Sequence, residues 1–414
     1  MAVEPPIPKR APSLFAALQF RDFRLLWTGL LISNLGSWMQ FTASGFFVVK
    51  LAGTPELGAL YLGILGGARA IPVILFSPIV GVIADTWPRR RVLIASNTAI
   101  SALALILAVL TQLNHISIWG VIAISMGNAI AQSFDAPARQ SWVPLLVGRE
   151  YIGNAIGLNS VAFNAPAIIG PAIAGFLIAN VSIAGSFYIN AFATLAVVIA
   201  VVLMKPSPPS SATREPLFLS IQHGLQFLFE HPILKYVMLF FVVSALLVRP
   251  YSILLPAYAL HYLHTGAQGL GWALAATGVG AFAGALTTAI VGSRESRGTL
   301  WIASGLLLAL GVLVLGFIQT LTLAFPVLAI IGLATMVFLG TSNILIQTLS
   351  PDDMRGRAIS VYSMIALGFV PGGAFIIGTL GSVISLHRAF ILVGALCALF
   401  ALYLWLRKPI LRTV

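Results

Sequence analysis

Twelve apolar runs, each long enough to cross a bilayer as a helix, follow one another along this chain, and the basic residues crowd into every second break between them. A hydrocarbon core of roughly 30 Å takes about 20 apolar residues in a helix. The runs fall near 24–49, 57–84, 91–112, 117–136, 154–179, 186–204, 233–260, 267–292, 298–318, 321–345, 358–382 and 387–406. Only 8% of the 414 residues are charged and 59% are hydrophobic, whereas a soluble globular domain carries roughly 25% charged residues. So few charges cannot cover a water-facing surface, so the bilayer is the solvent for most of this chain. Helices are the form in which such runs satisfy their own backbone there.

The breaks carry a direction. Of the 23 lysines and arginines, all but four lie at the termini or in the breaks on the termini's side. The exceptions are Lys50 and Arg388 in opposite loops, and Arg69 and Arg249 within spans. Loops that stay in the cytoplasm retain Lys and Arg, so an even number of spans puts both termini in the cytoplasm. The same rule explains the net charge of +12 without nucleic acid, because the basic residues form short clusters and no continuous basic face. The single Cys397 excludes an internal disulfide and a cysteine-based metal site; in its apolar run it reads as a small buried hydrophobe. The opening MAVEPPIPKRAPS is polar and proline-rich, with no short apolar core and cleavage site after it, so no secretory signal is read.

The longest break, 205–231, begins as the flexible KPSPPSSATREP. It continues as LFLSIQHGLQFLFEHP, whose apolar residues recur at helical spacing, as in a helix lying on the membrane surface. Residues 12–23 allow the same reading. The break leaves six spans on each side, and the two sets resemble each other. One constant shift carries Gly58, Tyr61, Gly67, Ala70, Ile79, Val80 and Gly81 onto Gly269, Trp272, Gly278, Ala281, Ile290, Val291 and Gly292. A second carries Ala155, Ile156, Gly170 and Gly175 onto Ala358, Ile359, Gly373 and Gly378. A duplicated unit of six spans is expected, and parallel six-span repeats are the pattern of the major facilitator superfamily.

Between the second and third spans stands GVIADTWPRRR, 81–91. It resembles the facilitator loop signature Gly-x-Leu-x-Asp-Arg-x-Gly-Arg-Arg through Gly81, Asp85, Arg89, Arg90 and Arg91, while Thr86 and Pro88 depart from it. A carboxylate at one helix end can face the positive N-terminus of another and pair with nearby guanidiniums. Such a cluster ties helix ends together in one state and frees them in another. The plainer reading is three arginines that only anchor topology. Asp135 closes the fourth span in SFDAPARQSWVPLLVGRE, where it can pair with Arg89 or Arg139. The resemblance makes Asp85, Arg89 and Asp135 one gate cluster, with Arg90 and Arg139 beside it; a solvated helix cap is the alternative for Asp135.

The fifth span, GLNSVAFNAPAIIGPAIAG, resembles the antiporter signature of drug exporters at Gly157, Gly170, Pro171 and Gly175, with Pro166 and Ala174 replacing glycines. Small residues let membrane helices approach closely; ordinary tight packing is the alternative. The stretches 351–378 and 247–259 narrow the resemblance to the bacterial branch that includes the enterobactin exporter and macrolide-efflux proteins. That resemblance covers nearly the whole chain and does not fix a substrate.

Ionisable groups inside a membrane are costly and usually functional. Arg69 and Arg249 are mid-span with no embedded carboxylate beside them, which suggests an anionic or strongly hydrogen-bonding ligand. The alternative is that each bonds helix carbonyls and locks the halves. Asn34, Trp38, Gln40, Asn128, Gln132, Asn164, Tyr251, Asn343 and Tyr362 could join a substrate cavity, though each alone also suits a helix–helix hydrogen bond. No Arg-x3-Gly motif marks the fourth span, and Asp22 and Asp135 near the cytoplasmic edge are the remaining proton-carrier candidates. No phosphate-cradling loop, catalytic triad, metal-ligand cluster or cofactor motif is visible.

The expectation is an all-α membrane protein of 12 transmembrane helices in two pseudo-symmetric six-helix bundles. Its parts are 1–23, a first bundle 24–204, a linker 205–231, a second bundle 232–406 and a tail 407–414. The resemblance implies a non-enzymatic, monomeric secondary transporter in a bacterial inner membrane. It would export a small amphipathic molecule, drug or siderophore-like, in exchange for protons. An organic-anion or lysolipid carrier using Arg69 and Arg249 is the alternative within transport, and a non-transporting membrane receptor is the alternative outside it.

Overall fold

A computed structural model describes residues 15–205, 217–291 and 297–412. Among these residues every regular element is helical. Six long helices come first: α1 (Arg21–Ala52), α2 (Pro55–Thr86), α3 (Arg89–Gln112), α4 (Ile118–Trp142), α5 (Ile152–Asn180) and α6 (Ile183–Leu203). A shorter helix, α7 (Leu217–Glu230), precedes the second set. That set is α8 (Leu234–Leu247), α9 (Tyr251–His261), α10 (Ala267–Val291), α11 (Arg297–Leu315), α12 (Leu321–Leu349), α13 (Asp352–Ile384) and α14 (Leu386–Arg407). The pair α8–α9 forms one span, 234–261, and nine spans in the described residues are long and apolar enough to cross a membrane by composition alone. With α1, α2 and α4 they make the twelve of the facilitator fold. Large apolar side chains such as Ile106, Trp119, Phe192, Phe282 and Leu399 point outward from the bundle, as expected where lipid replaces water.

Two departures from the sequence reading matter for function. The fourth span does not end at 136. Helix α4 continues through Pro137 to Trp142, so Asp135 lies seven residues, about 10 Å, inside its end. Proline is tolerated there because neighbours in a membrane bundle satisfy the freed backbone groups. The seventh span is not one helix. It breaks at 248–250, where Arg249 N donates to Ser244 O five residues back at 2.9 Å. Proline at 250 has no N–H to give, and the residue before a proline is pushed out of the helical region. Wide turns of this kind are frequent at functional sites. The expected surface helix corresponds to α7, which buries Leu228 and lies on α13. A Cβ on Gly224 would come within 2.9 Å of Arg357 O. The polar linker before α7, 206–216, lies outside the described residues.

The first six helices pack among themselves, as do α8–α14, and the two sets meet chiefly through α2 against α13 and α5 against α10. Glycines set these distances. A Cβ on Gly63 would stand 2.9 Å from Ala374 O and one on Gly378 2.5 Å from Ala59 O. In the other pair, a Cβ on Gly175 would stand 2.6 Å from Ala267 O, and one on Gly271 2.7 Å from Pro171 O. All of these contacts fall in the half of the molecule away from the chain ends. There a single apolar core joins both sets, from Val48, Leu62 and Phe187 to Tyr258 and Phe390, and within the second set it continues to Leu404 and Leu411 near the chain end. Near the chain ends a separate core of Phe23, Leu26, Leu93, Trp142 and Val201 draws on the first set alone. There Gly153 and Gly157 on α5 and Gly356 on α13 face open space. Among the described residues the molecule is therefore sealed on one face and parted on the face that carries its ends, where a contact of α2 with α7 remains.

Candidate functional site

The seal ends near mid-depth, and the two buried-span arginines stand at that level. The last tight contacts of the seal put a Cβ on Gly67 3.4 Å from Phe375 Cβ and one on Gly278 2.7 Å from Ile168 Cγ1. Arg69 is two residues beyond Gly67 on α2. On the other side of α13, a Cβ on Gly373 would lie 2.4 Å from Leu246 O and 2.7 Å from Pro250 Cγ. Gly66 meets the same stretch of α13, at Pro371 and Ala374. Arg69 and Arg249 therefore flank residues 371–374 within about one helical turn, roughly 5 Å, of each other in depth.

Their surroundings differ from those of a structural arginine. Arg69 Nη2 reaches Ser125 Oγ on α4 at 3.5 Å, and its guanidinium lies 5.5 Å from the Phe41 ring on α1. Phe41 is held edge-to-face by Trp38, 5.6 Å between centroids. Arg249 lies 5.5 Å from the Phe241 ring, and its Nη1 is enclosed with no acceptor. Tyr362 stacks on Phe241 and donates to Leu339 O at 3.1 Å. Tyr251 is 3% exposed and packs within hydrogen-bonding reach of Thr277 on α10. By contrast, Arg90 Nη2 donates to Val202 O at 2.7 Å and Arg355 Nε to Gln347 O at 3.0 Å. Those two lock helix ends, and among the described residues no such carbonyl bonds Arg249.

The other polar candidates sort by their partners. Asn34 Nδ2 donates to Ala162 O at 3.0 Å and ties α1 to α5. Gln40 accepts from Asn190 Nδ2 at 2.6 Å and ties α1 to α6. Both are occupied inside the first set of helices. Asn343 accepts from Gln347, one turn along α12. Of the antiporter-like residues, Gly170 backs onto Trp38, where a Cβ would sit 2.7 Å from Trp38 Cβ. Gly175 and Pro171 form the α5–α10 contact described above, while Gly157 faces open space.

A second polar site lies within the first set. Asp135 Oδ1 accepts from Asn97 Nδ2 at 2.7 Å, and Oδ2 pairs with Arg139 Nε at 3.1 Å, one turn along α4. The Arg139 guanidinium lies 4.4 Å from the Phe163 ring on α5. Leu30, Ser33, Asn34, Ser37, Ile100, Gln132 and Phe163 complete the wall of a cavity of about 130 Å³ around the pair. Asp135 thus turns inward to α3 and α5. Arg89 and Arg90 open α3, and Arg90 goes to α6. The side chains of Gly81 to Thr86, Asp85 among them, lie outside the described residues. Asn97 and Phe163 were missed in the sequence. An amide within the apolar run of α3 was the available signal for Asn97; nothing marked Phe163 among so many aromatics.

A twelve-helix bundle in two sets, parted on one face around paired mid-depth cations, is the architecture of a facilitator-type transporter. The chain belongs to the transmembrane secretion effector family of the major facilitator superfamily, which matches residues 12–413. It is 26% identical over 378 residues to the multidrug efflux pump Tap of Mycolicibacterium fortuitum, covering 89% of this chain and 91% of Tap. It is 22% identical over 385 residues to macrolide efflux protein A of Streptococcus pyogenes, covering 92% and 94%. A crystal structure of a D-xylose–proton symporter shares the fold with a TM-score of 0.73 at 15% identity, over 96% of this chain and 99% of that one. The protein is a multi-pass membrane transporter with drug-efflux relatives.

Proposed function

We propose that this transporter exports small amphipathic molecules from the bacterial cytoplasm by alternating access, in exchange for protons. The observation that carries the reading is the asymmetry of the two faces. Glycine contacts seal α2 on α13 and α5 on α10 at one face, and the helices part at the face where the chain ends lie. With the ends in the cytoplasm, as the placement of lysine and arginine argues, the parted face is the loading side for an exporter. The named efflux activities of the similar proteins support the same direction.

In this reading the two helix sets rock about the level of Arg69 and Arg249. The segment carrying Gly81, Asp85, Arg89 and Arg90 closes the cytoplasmic face in the alternate state. Asp135 is the carboxylate best placed to exchange a proton with that face. It lies inside α4, yet its side chain keeps 15% exposure next to a polar cavity. Neutralising it would release Arg139, whose other neighbour is Phe163 on α5, a helix that forms the seal.

The test is proton movement in everted membrane vesicles, followed with a pH-sensitive dye while cationic, neutral and anionic amphiphiles are added. A substrate-dependent proton efflux is expected, and it should be absent in vesicles lacking the protein. Labelled substrate crossing with no proton signal would remove proton coupling and leave a facilitator.

A further inference from the structure

We infer that the molecule carried has an oxyanion head on an apolar body, and that Arg249 at the break between α8 and α9 binds this head with Arg69 of the facing helix set beside it. The inference rests on the transport reading above and adds the charge class of the cargo.

Four observations converge on it. First, Arg249 Nη1 is sealed from solvent and has no acceptor. A guanidinium has five donors and cannot shed its proton to escape the cost. A charged group left in hydrocarbon without a partner is expensive. Second, among the described residues no carboxylate is close enough to serve. Helices α8, α9, α10 and α12 contain none, and the acids of α13 are Asp352 and Asp353 in its first turn. Those are nine or more residues from Tyr362, about 14 Å along the helix. On the Arg69 side, Glu56 and Asp85 are at least thirteen residues away on α2, and Asp135 is ten from Ser125 on α4. Third, the surroundings suit an amphiphile. Phe241, Tyr251, Tyr362 and Leu246 give aromatic and apolar walls, with the hydroxyls of Tyr251 and Thr277 near the charge. Fourth, the helix break holds Arg249 at the level where the seal between helix sets ends, and Arg69 stands on the opposite set at the same depth. An anion held between them touches both moving parts, so its binding can bias their equilibrium. The alternative role, in which Arg249 locks the halves through helix carbonyls, lacks the bonds that Arg90 and Arg355 display.

The experiment uses the full chain in phosphatidylcholine nanodiscs and three fluorescent probes with one body: 11-(dansylamino)undecanoic acid, its primary amide, and the matching trimethylammonium. The wild-type protein should bind the acid at least about tenfold more tightly than the amide, and the cation least. Charge-assisted bonds are worth about that ratio or more. In Arg249→Gln the acid should lose that advantage while amide affinity stays the same; Arg249→Lys should restore part of it. Arg69→Gln, an independent variant, should weaken acid binding as well. Equal binding of acid and amide by the wild type overturns the inference without reference to any variant. Displacement of the acid when phosphatidylglycerol is included would assign the arginines to a bilayer lipid and also overturn it. Flux in proteoliposomes keeps the two readings apart. If the amide crosses and the acid does not, the transporter stands and the anion site falls. If no probe crosses, the transport reading falls while the binding comparison still decides the site.

Discussion

At the scale of residues, the polar groups of this membrane protein divide by whether the protein itself satisfies them. Asn34, Gln40 and Asn190 spend their hydrogen bonds on neighbouring helices. Asp135 and Arg139 spend theirs on each other and on Asn97, with side chains only 15% and 7% exposed. Removing one partner of such a pair strands the other, a loss of about 3–5 kcal/mol. Asp135→Asn is therefore expected to lower thermal stability in detergent more than the double change Asp135→Asn with Arg139→Gln. Melting temperatures of the two single variants and the double one check this. Strictly additive shifts would mean that the pair is not coupled. Arg249 belongs to the other category, since its Nη1 has no partner among the described residues.

At the scale of elements, small residues decide how helices meet. In hydrocarbon there is no water to expel between helices, so close backbone approach and van der Waals contact hold them. Gly175 shows the tolerance: a Cβ there would lie 2.6 Å from Ala267 O and 3.0 Å from Gly271 Cα. Gly175→Val overpacks the α5–α10 contact by about 1–3 kcal/mol. It should shift the population toward the form open on the sealed face, a change of roughly 5- to 150-fold in the equilibrium by the same estimate. Thiol labelling of Ala267→Cys, buried on α10 at that contact, reads the shift: labelling should speed up in the Gly175→Val background. An unchanged labelling rate would show that this contact is not part of the moving seal. The broken span α8–α9 is the other device at this scale, and its π-like turn at Ser244 fixes where Arg249 stands.

At the scale of the whole molecule, the two six-helix sets give the structure its logic, and most of that was legible. Runs of about 20 apolar residues and the matched glycines of the second and eighth spans lead to twelve helices in two related sets. Of those glycines, Gly67 recurs in the α2–α13 contact and Gly278 in the α5–α10 contact, while Gly63 and Gly271, which also make these contacts, were not among the matched positions. Less legible were features set by tertiary partners. Helix α4 passes through Pro137, so a terminator in the sequence sits inside an element, and Asp135 moves from the edge into the bundle. The break at Arg249 was marked by the following proline, yet the apolar residues on either side read as one continuous run. The division of Asn34 and Gln40 from Arg249 was not legible, because a hydrogen-bond partner 128 or 150 positions away leaves no local mark.

In the proposed transport cycle one face closes as the other opens. The most direct measurement is a pair of spin-label distances in nanodiscs, since Cys397 is buried and leaves introduced cysteines as the labelled sites. One pair, Gly157→Cys with Gly356→Cys, spans the parted face, where both glycines meet open space. The other, His115→Cys with Gln319→Cys, spans the sealed face at exposed loop positions. Across a change of pH and on addition of a transported amphiphile, the first distance should shorten as the second lengthens, in the same fraction of molecules. Two distances that stay fixed, or that lengthen together, would contradict alternating access.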